Sequence, residues 1–307
     1  MRWLKRGLVY VPDGNSWWTK NRYAFNPTVE VLSDDLLRVY FAALDEHRYG
    51  RIGYVELDAN EPRQIRYVTN EPVLDLGPLG GFDDSGVNPS CVIEVGGRKH
   101  LYYIGWQRCE RVPYMLFSGL AISDDRGRSF KRYAPVPVFD RTETEPYSRS
   151  APCVLSEAGR YRAWYWSCER WSVEDDWVHY NNVIRHAESA DGVNWQSTEH
   201  ICLAPSGPLD YTVGRPWVVK DGDTYKMWYS IRSRAEVGYR IGYAESPDGL
   251  SWTRRDEDVG IEPSESGWDA QMICHTCVVD VKGQRYMFYN GNQHGATGFG
   301  YAVLEQD

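Results

Sequence analysis

Three carboxylate residues stand a few positions before short apolar segments of the chain: Asp84, Glu145 and Asp269. Cleavage of a glycosidic bond needs two carboxyl groups, because one protonates the leaving oxygen while the other activates water or attacks carbon. Clustered carboxylates raise the pKa of one member, which then supplies the proton. We therefore predict that Asp84, Glu145 and Asp269 are catalytic.

Seven further polar residues flank the same segments and are predicted to bind substrate: Arg22, Asn26, Asn88, Arg149, Glu169, Arg215 and His275. Arginine side chains can grip a carboxylate or a phosphate on a ligand. Arg149, Arg215 and His275 differ from one another at matched positions, which suits an asymmetric ligand. A structural role stays open, because a repeated acid such as Asp83 or Asp210 can cap a turn and His275 can be a structural histidine.

Five repeats position these residues. Each repeat has a short apolar strand, a turn, an aromatic strand and a third strand, and the first strands are marked by one residue each. The markers are separated by 62, 63, 64 and 60 positions and are Pro27, Pro89, Pro152, Pro216 and Thr276. Repeated units of three or four short strands predict an all-β fold, a five-bladed β-propeller with about four antiparallel strands per blade.

We predict one domain over 1–307, with blades at approximately 22–75, 83–140, 145–205, 210–262 and 268–304. The last repeat lacks a fourth strand, and a strand at 7–11 is expected to fill its place and close the ring. Residues before the first strands and after the second strands then share one face, where they converge on a concave mouth. The Ser-x-Asp turns with Asp125, Asp191 and Asp248 fall on the opposite face, and their repetition favours turn geometry over catalysis.

Composition excludes several classes of function. The chain has 34 basic and 43 acidic residues with no basic run, so nucleic acid is not an expected partner. No apolar stretch is long enough for a membrane span or a signal peptide, which predicts a cytoplasmic protein. The seven scattered cysteines are typical of reduced thiols. The single CxxC motif, at 274–277, lacks the second pair of ligands that a structural zinc site requires. We expect neither a metal nor a cofactor.

The repeats resemble the five-bladed propellers of glycoside hydrolase families 43, 32, 62, 117 and 130. The resemblance rests on Ile241-Gly-Tyr-Ala-Glu-Ser-Pro-Asp-Gly-Leu-Ser-Trp252, Met227-Trp-Tyr-Ser230 and Tyr286-Met-Phe-Tyr-Asn-Gly-Asn292. In family 43 it implies an aspartate base from blade one, a tuning aspartate from blade two and a glutamate acid from blade three. Asp84 and Glu145 match the last two, whereas the blade-one stretch 21–27 carries no carboxylate. The resemblance thus implies Glu145 as the general acid and Asp84 as the base or a tuning carboxylate, with Asp269 as a further candidate.

These observations predict a glycoside hydrolase-like enzyme that cleaves a glycosidic bond of a small or terminal sugar, which can be anionic or phosphorylated. Two alternatives stay open. An arginine-rich mouth suits a phosphorylase or an enzyme that uses sugar nucleotides in glycan biosynthesis, and turnover would then depend on phosphate or a nucleotide. A non-catalytic carbohydrate-binding propeller would bind sugar without forming product.

Overall fold

The computed structural model describes residues 1–174, 177–207, 209–235 and 238–305. Within them the regular structure is almost entirely β-strand, with 3₁₀ turns at Trp17–Thr19 and Asp256–Asp258 and one helical turn, α1, at Asn292–Gly295. No helix in this part of the chain is long and apolar enough to cross a membrane. The all-β class predicted from the repeats is therefore confirmed.

The strands form five antiparallel groups, each named here by its order along the chain. Group 1 contains β2 (Phe25–Ser33), β3 (Leu36–Leu44), β4 (Gly50–Asp58) and β5 (Ile65–Val68). Group 2 contains β6 (Gly86–Val95), β7 (Arg98–Arg108), β8 (Tyr114–Ser123) and β9 (Lys131–Arg132). Group 3 contains β10 (Arg149–Glu157), β11 (Arg160–Glu174), β12 (Trp177–Ser189) and β13 (Gln196–Leu203).

Groups 4 and 5 complete the fold. Group 4 contains β14 (Asp210–Asp221), β15 (Thr224–Ser233), β16 (Tyr239–Ser246) and β17 (Thr253–Arg254). Group 5 contains β18 (Cys274–Val281), β19 (Gln284–Asn290), β20 (Phe299–Leu304) and β1 (Trp3–Tyr10). The N-terminal strand thus pairs with the last strand of the chain, as expected, although it begins four residues earlier than the predicted 7–11.

The first strands of the five groups contact one another in a closed cycle. Strand β2 contacts β6, β6 contacts β10, β10 contacts β14, β14 contacts β18, and β18 contacts β2. Single parallel pairings between Gly50 and Gly86 and between Arg149 and Phe117 also join groups 1, 2 and 3 into a continuous sheet. Residues that are far apart in sequence therefore meet where the five first strands converge.

The second strand of every group carries two consecutive large residues that are fully buried. They are Tyr40 and Phe41, Tyr102 and Tyr103, Trp164 and Tyr165, Trp228 and Tyr229, and Phe288 and Tyr289. Successive side chains of a strand point to opposite faces, so burial of both means that each second strand is covered on its two sides. Buried tyrosine hydroxyls need hydrogen-bond acceptors, and several acidic residues of the chain supply them.

The Ser-x-Asp turns have the structural role that their repetition predicts. In each turn the serine hydroxyl donates to the aspartate, at 2.6 Å for Asp125 and 2.9 Å for Asp191 and Asp248. Backbone N–H groups of Asn194 and Val193 also bind Asp191 and lower its pKa. The carboxylates close the turns between third and fourth strands and lie outside the axial cavity described below.

Group 3 contains a buried histidine that makes stability depend on pH. Arg162 Nε donates to His186 Nε2 at 3.1 Å, and burial, followed by the charges of Arg162 and His200, lowers the pKa of His186 to about 4. An unfolded histidine has a pKa of about 6.5, so between those values the unfolded chain binds a proton that the folded chain does not. Stability present above pH ~6.5 is therefore lost on acidification toward pH ~4.

We expect His186 to contribute about 3 kcal/mol to the fall in unfolding free energy across this range. His186→Gln should remove that part of the pH dependence while leaving the remainder. Urea unfolding at a series of pH values measures the difference between the two proteins. If the unfolding free energies of the wild type and the variant depended identically on pH, the contribution assigned to His186 would be refuted.

Candidate functional site

Each first strand has one residue at the same position, directly before the marker of its repeat. These residues are Asn26, Asn88, Ala151, Arg215 and His275, and all five line one cavity. In every group the register between first and second strands shifts near this point, between Phe25 and Thr28 in group 1 and between Gly214 and Trp217 in group 4. Such β-bulges re-aim side chains and are common beside functional sites.

Four of the five bulge residues adopt a backbone conformation that is uncommon for residues other than glycine. Their φ angles are 51° for Asn26, 53° for Ala151, 50° for Arg215 and 56° for His275. Regular strand geometry would direct these side chains elsewhere, so the left-handed conformation is what presents them to the axis. The bulges bring together four of the seven predicted binding residues: Asn26, Asn88, Arg215 and His275.

The cavity has a volume of about 570 Å³, within the usual range for small-molecule sites. Much of its wall is aromatic, and the rings are Tyr23, Phe25, Trp106, Tyr114, Trp166, Trp171, Tyr180 and Tyr239. Trp106 fits because Gly86 has no side chain, since a Cβ there would lie 2.2 Å from the indole. Flat aromatic faces with polar edges suit the apolar faces and hydroxyls of a sugar ring.

Three arginines give the cavity a positive charge in a protein whose net charge is -9. Arg48 and Arg108 are exposed at the mouth, where Arg108 donates to the carbonyl oxygens of His47 and Arg48. Arg215 is buried, with 4% of its surface exposed, and donates to the Ser90 carbonyl at 2.9 Å and the Thr28 hydroxyl at 3.0 Å. Its guanidinium therefore reaches from β14 to β6 and β2.

The side chains that line the cavity carry no negative charge in the part of the chain that the structure describes. Among the residues that the structure describes, no aspartate or glutamate lines the cavity, and Arg215 has no carboxylate within ion-pair distance. Four lining residues also bury polar atoms that have no hydrogen-bond partner in the described part of the chain: Asn88 Oδ1, Asn182 Oδ1, Trp171 Nε1 and Arg215 Nε. Buried polar groups are normally satisfied, so these two acceptor atoms and two donor atoms are available to a polar ligand.

Two histidines of the cavity are neutral near physiological pH. Burial, with smaller effects from His294 and Arg215, lowers the pKa of His275 to about 3. Burial, together with the charge of Arg232, lowers the pKa of His294 to about 4. The rings stack with their centroids 6.0 Å apart, and Tyr239 contacts both.

None of the three predicted catalytic residues lines the cavity, and two of them, Glu145 and Asp269, are buried. Glu145 is 2% exposed, accepts a hydrogen bond from the Tyr165 hydroxyl at 2.8 Å and pairs with Arg149 at 3.2 Å. Asp269 is also 2% exposed, accepts from the Tyr289 hydroxyl at 3.0 Å and pairs with Lys5 at 2.8 Å. Each carboxylate is therefore engaged by a buried tyrosine hydroxyl and by a cation.

Asp83 has the same arrangement in group 2, where it accepts from the Tyr103 hydroxyl at 2.9 Å and pairs with Arg132 at 2.7 Å. In all three cases the acid precedes its tyrosine by 20 residues. The recurrence explains why these acids stand at matched places before the first strands. Their position reflects packing of the second-strand tyrosine.

Asp84 remains half-buried next to the cavity wall. Its carboxylate accepts hydrogen bonds from the Gly80 N–H and the Ser85 hydroxyl, both at 2.9 Å. The Ser85 hydroxyl oxygen in turn accepts the backbone N–H of Arg108, a cavity residue, at 3.2 Å. Asp84 is thus the predicted catalytic carboxylate that the structure leaves accessible.

The other predicted binding residues lie outside the cavity lining. Arg22 donates to the Pro12 carbonyl at 3.1 Å, and Arg149 is held in the buried pair with Glu145. Glu169 is exposed and pairs with Arg185 at 3.0 Å. In contrast, Arg48 and Arg108 were not predicted as site residues, because they stand in and beside variable loops where no repeat marks a position.

No family model matches the chain. The uncharacterized protein Rv1502 of Mycobacterium tuberculosis (strain ATCC 25618 / H37Rv) is 38% identical over 305 residues, which cover 99% of this chain and 100% of that protein. The uncharacterized protein MT1551 of Mycobacterium tuberculosis (strain CDC 1551 / Oshkosh) is also 38% identical over the same lengths.

Three solved structures from glycoside hydrolase families are similar to this chain. One described as a glycoside hydrolase has a TM-score of 0.75 at 18% identity and covers 98% of this chain and 90% of its own. A structure from the GH130 family of mannoside phosphorylases, which contains glycoside hydrolases that target beta-1,2 mannosidic linkages in Candida mannan, has a TM-score of 0.73 at 17% identity over 99% and 93%.

A thermostable family-43 glycoside hydrolase has a TM-score of 0.71 at 17% identity and covers 92% of this chain and 90% of its own. The predicted resemblance to propeller glycoside hydrolases is confirmed at the level of the fold. Identities this low establish the fold alone, so the chemistry has to be argued from the cavity of this chain.

Proposed function

This chain belongs to one family with the uncharacterized protein Rv1502 of Mycobacterium tuberculosis, and we propose that it is a carbohydrate-active propeller enzyme whose axial cavity binds an anionic sugar. Sugar phosphates, uronates and sugar nucleotides share the required chemistry, a polyhydroxylated ring joined to a negative group. The charge of the cavity supports an anionic substrate, and the similarity of the fold to glycoside hydrolases supports a carbohydrate.

The architecture we propose is a five-bladed propeller formed by one domain. Each strand group is a blade, with β1 completing the fifth, so the blades span 25–68, 86–132, 149–203, 210–254 and 274–304 with 3–10. The closed cycle of contacts among β2, β6, β10, β14 and β18 supports this reading. The cavity then opens at the end of the axis where the first strands begin.

Arg215 is the observation that carries the proposal. Arginine stays protonated at any physiological pH, and an unpaired buried charge costs several kcal/mol of desolvation. The guanidinium has two neutral partners and a free Nε, and it faces a cavity without a lining carboxylate in the described residues. An anionic ligand would supply the missing charge and form charge-assisted hydrogen bonds, while Arg48 and Arg108 attract it to the mouth.

The binding proposal can be tested with sugars that differ in charge alone. We expect calorimetry to show that glucose 1-phosphate, glucuronate or a uridine diphosphate sugar binds at least ~100-fold more tightly than glucose, with affinity that falls as salt increases. Inorganic phosphate serves as a control for the sugar part. Equal affinities for charged and neutral sugars would refute the proposal.

A second function, phosphorolysis of a glycosidic bond, is favoured by the combination of this cationic cavity with Asp84, a half-buried carboxylate that Ser85 links to the cavity residue Arg108. A phosphate oxygen held by the arginines would attack the anomeric carbon, the glycosidic C–O bond would break, and Asp84 as general acid would donate a proton to the leaving oxygen. Hydrolysis by two carboxylates is less well supported, since Glu145 and Asp269 are engaged in buried pairs.

Replacement of Asp84 tests the catalytic part of this proposal. We expect Asp84→Asn to lower kcat by about 10²–10⁴-fold, because an amide cannot transfer the proton, with KM changed by a few-fold. Asp75→Asn, which alters an exposed partner of Arg51, is the matched control and should keep wild-type turnover. Activity of the wild type should require inorganic phosphate, and turnover without phosphate would refute phosphorolysis. Wild-type turnover by Asp84→Asn would refute the role of Asp84.

A further inference from the structure

Cys274, His275 and His294 form a cluster at the edge of the cavity that the proposed function does not use. One sulfur or nitrogen atom from each side chain can be chosen so that all three atoms lie within 4.8 Å of one another. Cys274 is fully buried, while both histidines are half-buried and line the cavity. We propose that these three side chains bind Zn²⁺, with a fourth coordination position open to the cavity.

The bulge of β18 is what brings two consecutive residues to one ion. Adjacent side chains on a regular strand point to opposite faces, so Cys274 and His275 would ordinarily diverge. The register shift after Cys274 and the φ of 56° at His275 turn both side chains toward the same point. His294 reaches it from α1, where its φ is 60° and its N–H donates to the Met272 sulfur at 3.4 Å.

Asn290 orients His275 in the manner of an outer-shell residue of a metal site. Asn290 Nδ2 donates to the carbonyl oxygens of Ala24 and Gly298, so its Oδ1 faces His275 Nδ1 at 3.2 Å. The His275 proton therefore resides on Nδ1, and Nε2 is left with the lone pair that a metal needs. Outer-shell partners of this kind fix the tautomer of ligating histidines.

The donor set favours zinc over calcium or magnesium, which prefer oxygen ligands. Tetrahedral Zn²⁺ holds such ligand atoms about 3.3–3.7 Å apart, so small side-chain rotations close the site. Binding converts the Cys274 thiol to a thiolate and releases one proton, which leaves the centre with a charge of +1 beside Arg215. The fourth ligand is therefore expected to be water, hydroxide or an anionic group of a ligand.

The remaining cysteine of the CxxC segment supplies a control within the same strand. Cys277 is also fully buried, but its sulfur accepts the N–H of Val29 at 3.2 Å and is not part of the cluster. Cys277→Ser should therefore bind metal like the wild type. Cys274→Ser should lose the sulfur ligand. His294→Gln removes a nitrogen ligand from a half-buried position.

The test is titration of the full-length, chelator-treated protein with Co²⁺ as a spectroscopic substitute for Zn²⁺, without any sugar present. We expect one Co²⁺ per chain, a thiolate-to-cobalt charge-transfer band and tetrahedral d–d absorption, all displaced by Zn²⁺ and unaffected by Ca²⁺ or Mg²⁺. The band should persist in Cys277→Ser and disappear in Cys274→Ser, and Co²⁺ affinity should fall about 10-fold or more in His294→Gln.

Circular dichroism and thermal melting of the metal-free proteins establish that each variant is folded. Absence of stoichiometric Co²⁺ binding by the wild type, or an unchanged charge-transfer band in Cys274→Ser, would overturn the proposal. Loss of the band in Cys277→Ser with retention in Cys274→Ser would identify Cys277 as the thiolate ligand and would also overturn the proposal. Because no sugar is used, the outcome is independent of the anionic-sugar proposal.

Discussion

Glu145→Gln should lower the free energy of unfolding by about 3–5 kcal/mol, because it breaks a buried ion pair and leaves Arg149 charged without its partner. The side chains of Glu145 and Arg149 are 1% and 6% exposed, so water cannot replace the lost interaction. The amide can still accept the Tyr165 hydroxyl, which now binds both carboxylate oxygens at 2.8 and 3.0 Å. The charge is therefore the main quantity that the substitution changes.

Two comparisons separate this structural role from the predicted role as general acid. Glu169→Gln removes an exposed partner of Arg185 and should change stability by less than about 1 kcal/mol. The double variant Glu145→Leu/Arg149→Met removes both charges and should recover much of the loss. Denaturant unfolding measures all three, and a Glu145→Gln protein of wild-type stability with abolished turnover would establish catalysis instead.

The arrangement of strands was largely predictable, because it depends on a pattern repeated along the chain. A proline or threonine marker, a turn and an aromatic second strand recur in every group, and each second strand buries two large residues. The same repetition located the bulge position, which is why Asn26, Asn88, Arg215 and His275 were predicted to bind a ligand and do line the cavity. The missing fourth strand of the last repeat likewise predicted the pairing of β1 with β20.

The roles of the acidic residues were harder to predict, because a buried structural acid and a catalytic acid look alike before a strand. A signal was nevertheless present in the chain: Asp83, Glu145 and Asp269 each precede a second-strand tyrosine by 20 residues. A spacing shared by three repeats indicates a contact shared by three repeats. Arg48 and Arg108 had no such signal, since their place in the cavity depends on how loops and strand ends meet in three dimensions.

Arg215→Met should reduce the affinity for an anionic sugar by about 30-fold to several thousand-fold, the usual effect of truncating a buried group that binds an opposite charge. Methionine fills much of the same volume without a charge, so affinity for a neutral sugar should change by only a few-fold. Arg170→Met, which alters an exposed arginine on β11 bonded to Asn181, is the matched control and should keep wild-type affinity. Calorimetric titration with charged and neutral sugars measures each value.

The unfolding free energy of Arg215→Met is an independent test of the role of Arg215. The guanidinium has no ionic partner in the described residues, so Arg215→Met removes a desolvation cost together with hydrogen bonds to Ser90 and Thr28. These terms oppose each other, and we expect the unfolding free energy of the ligand-free protein to fall by no more than about 1 kcal/mol. A loss of several kcal/mol together with unchanged anion affinity would instead make Arg215 a structural residue. Strong loss of binding with stability retained is the expected signature of a cation that is kept in the axis for its ligand.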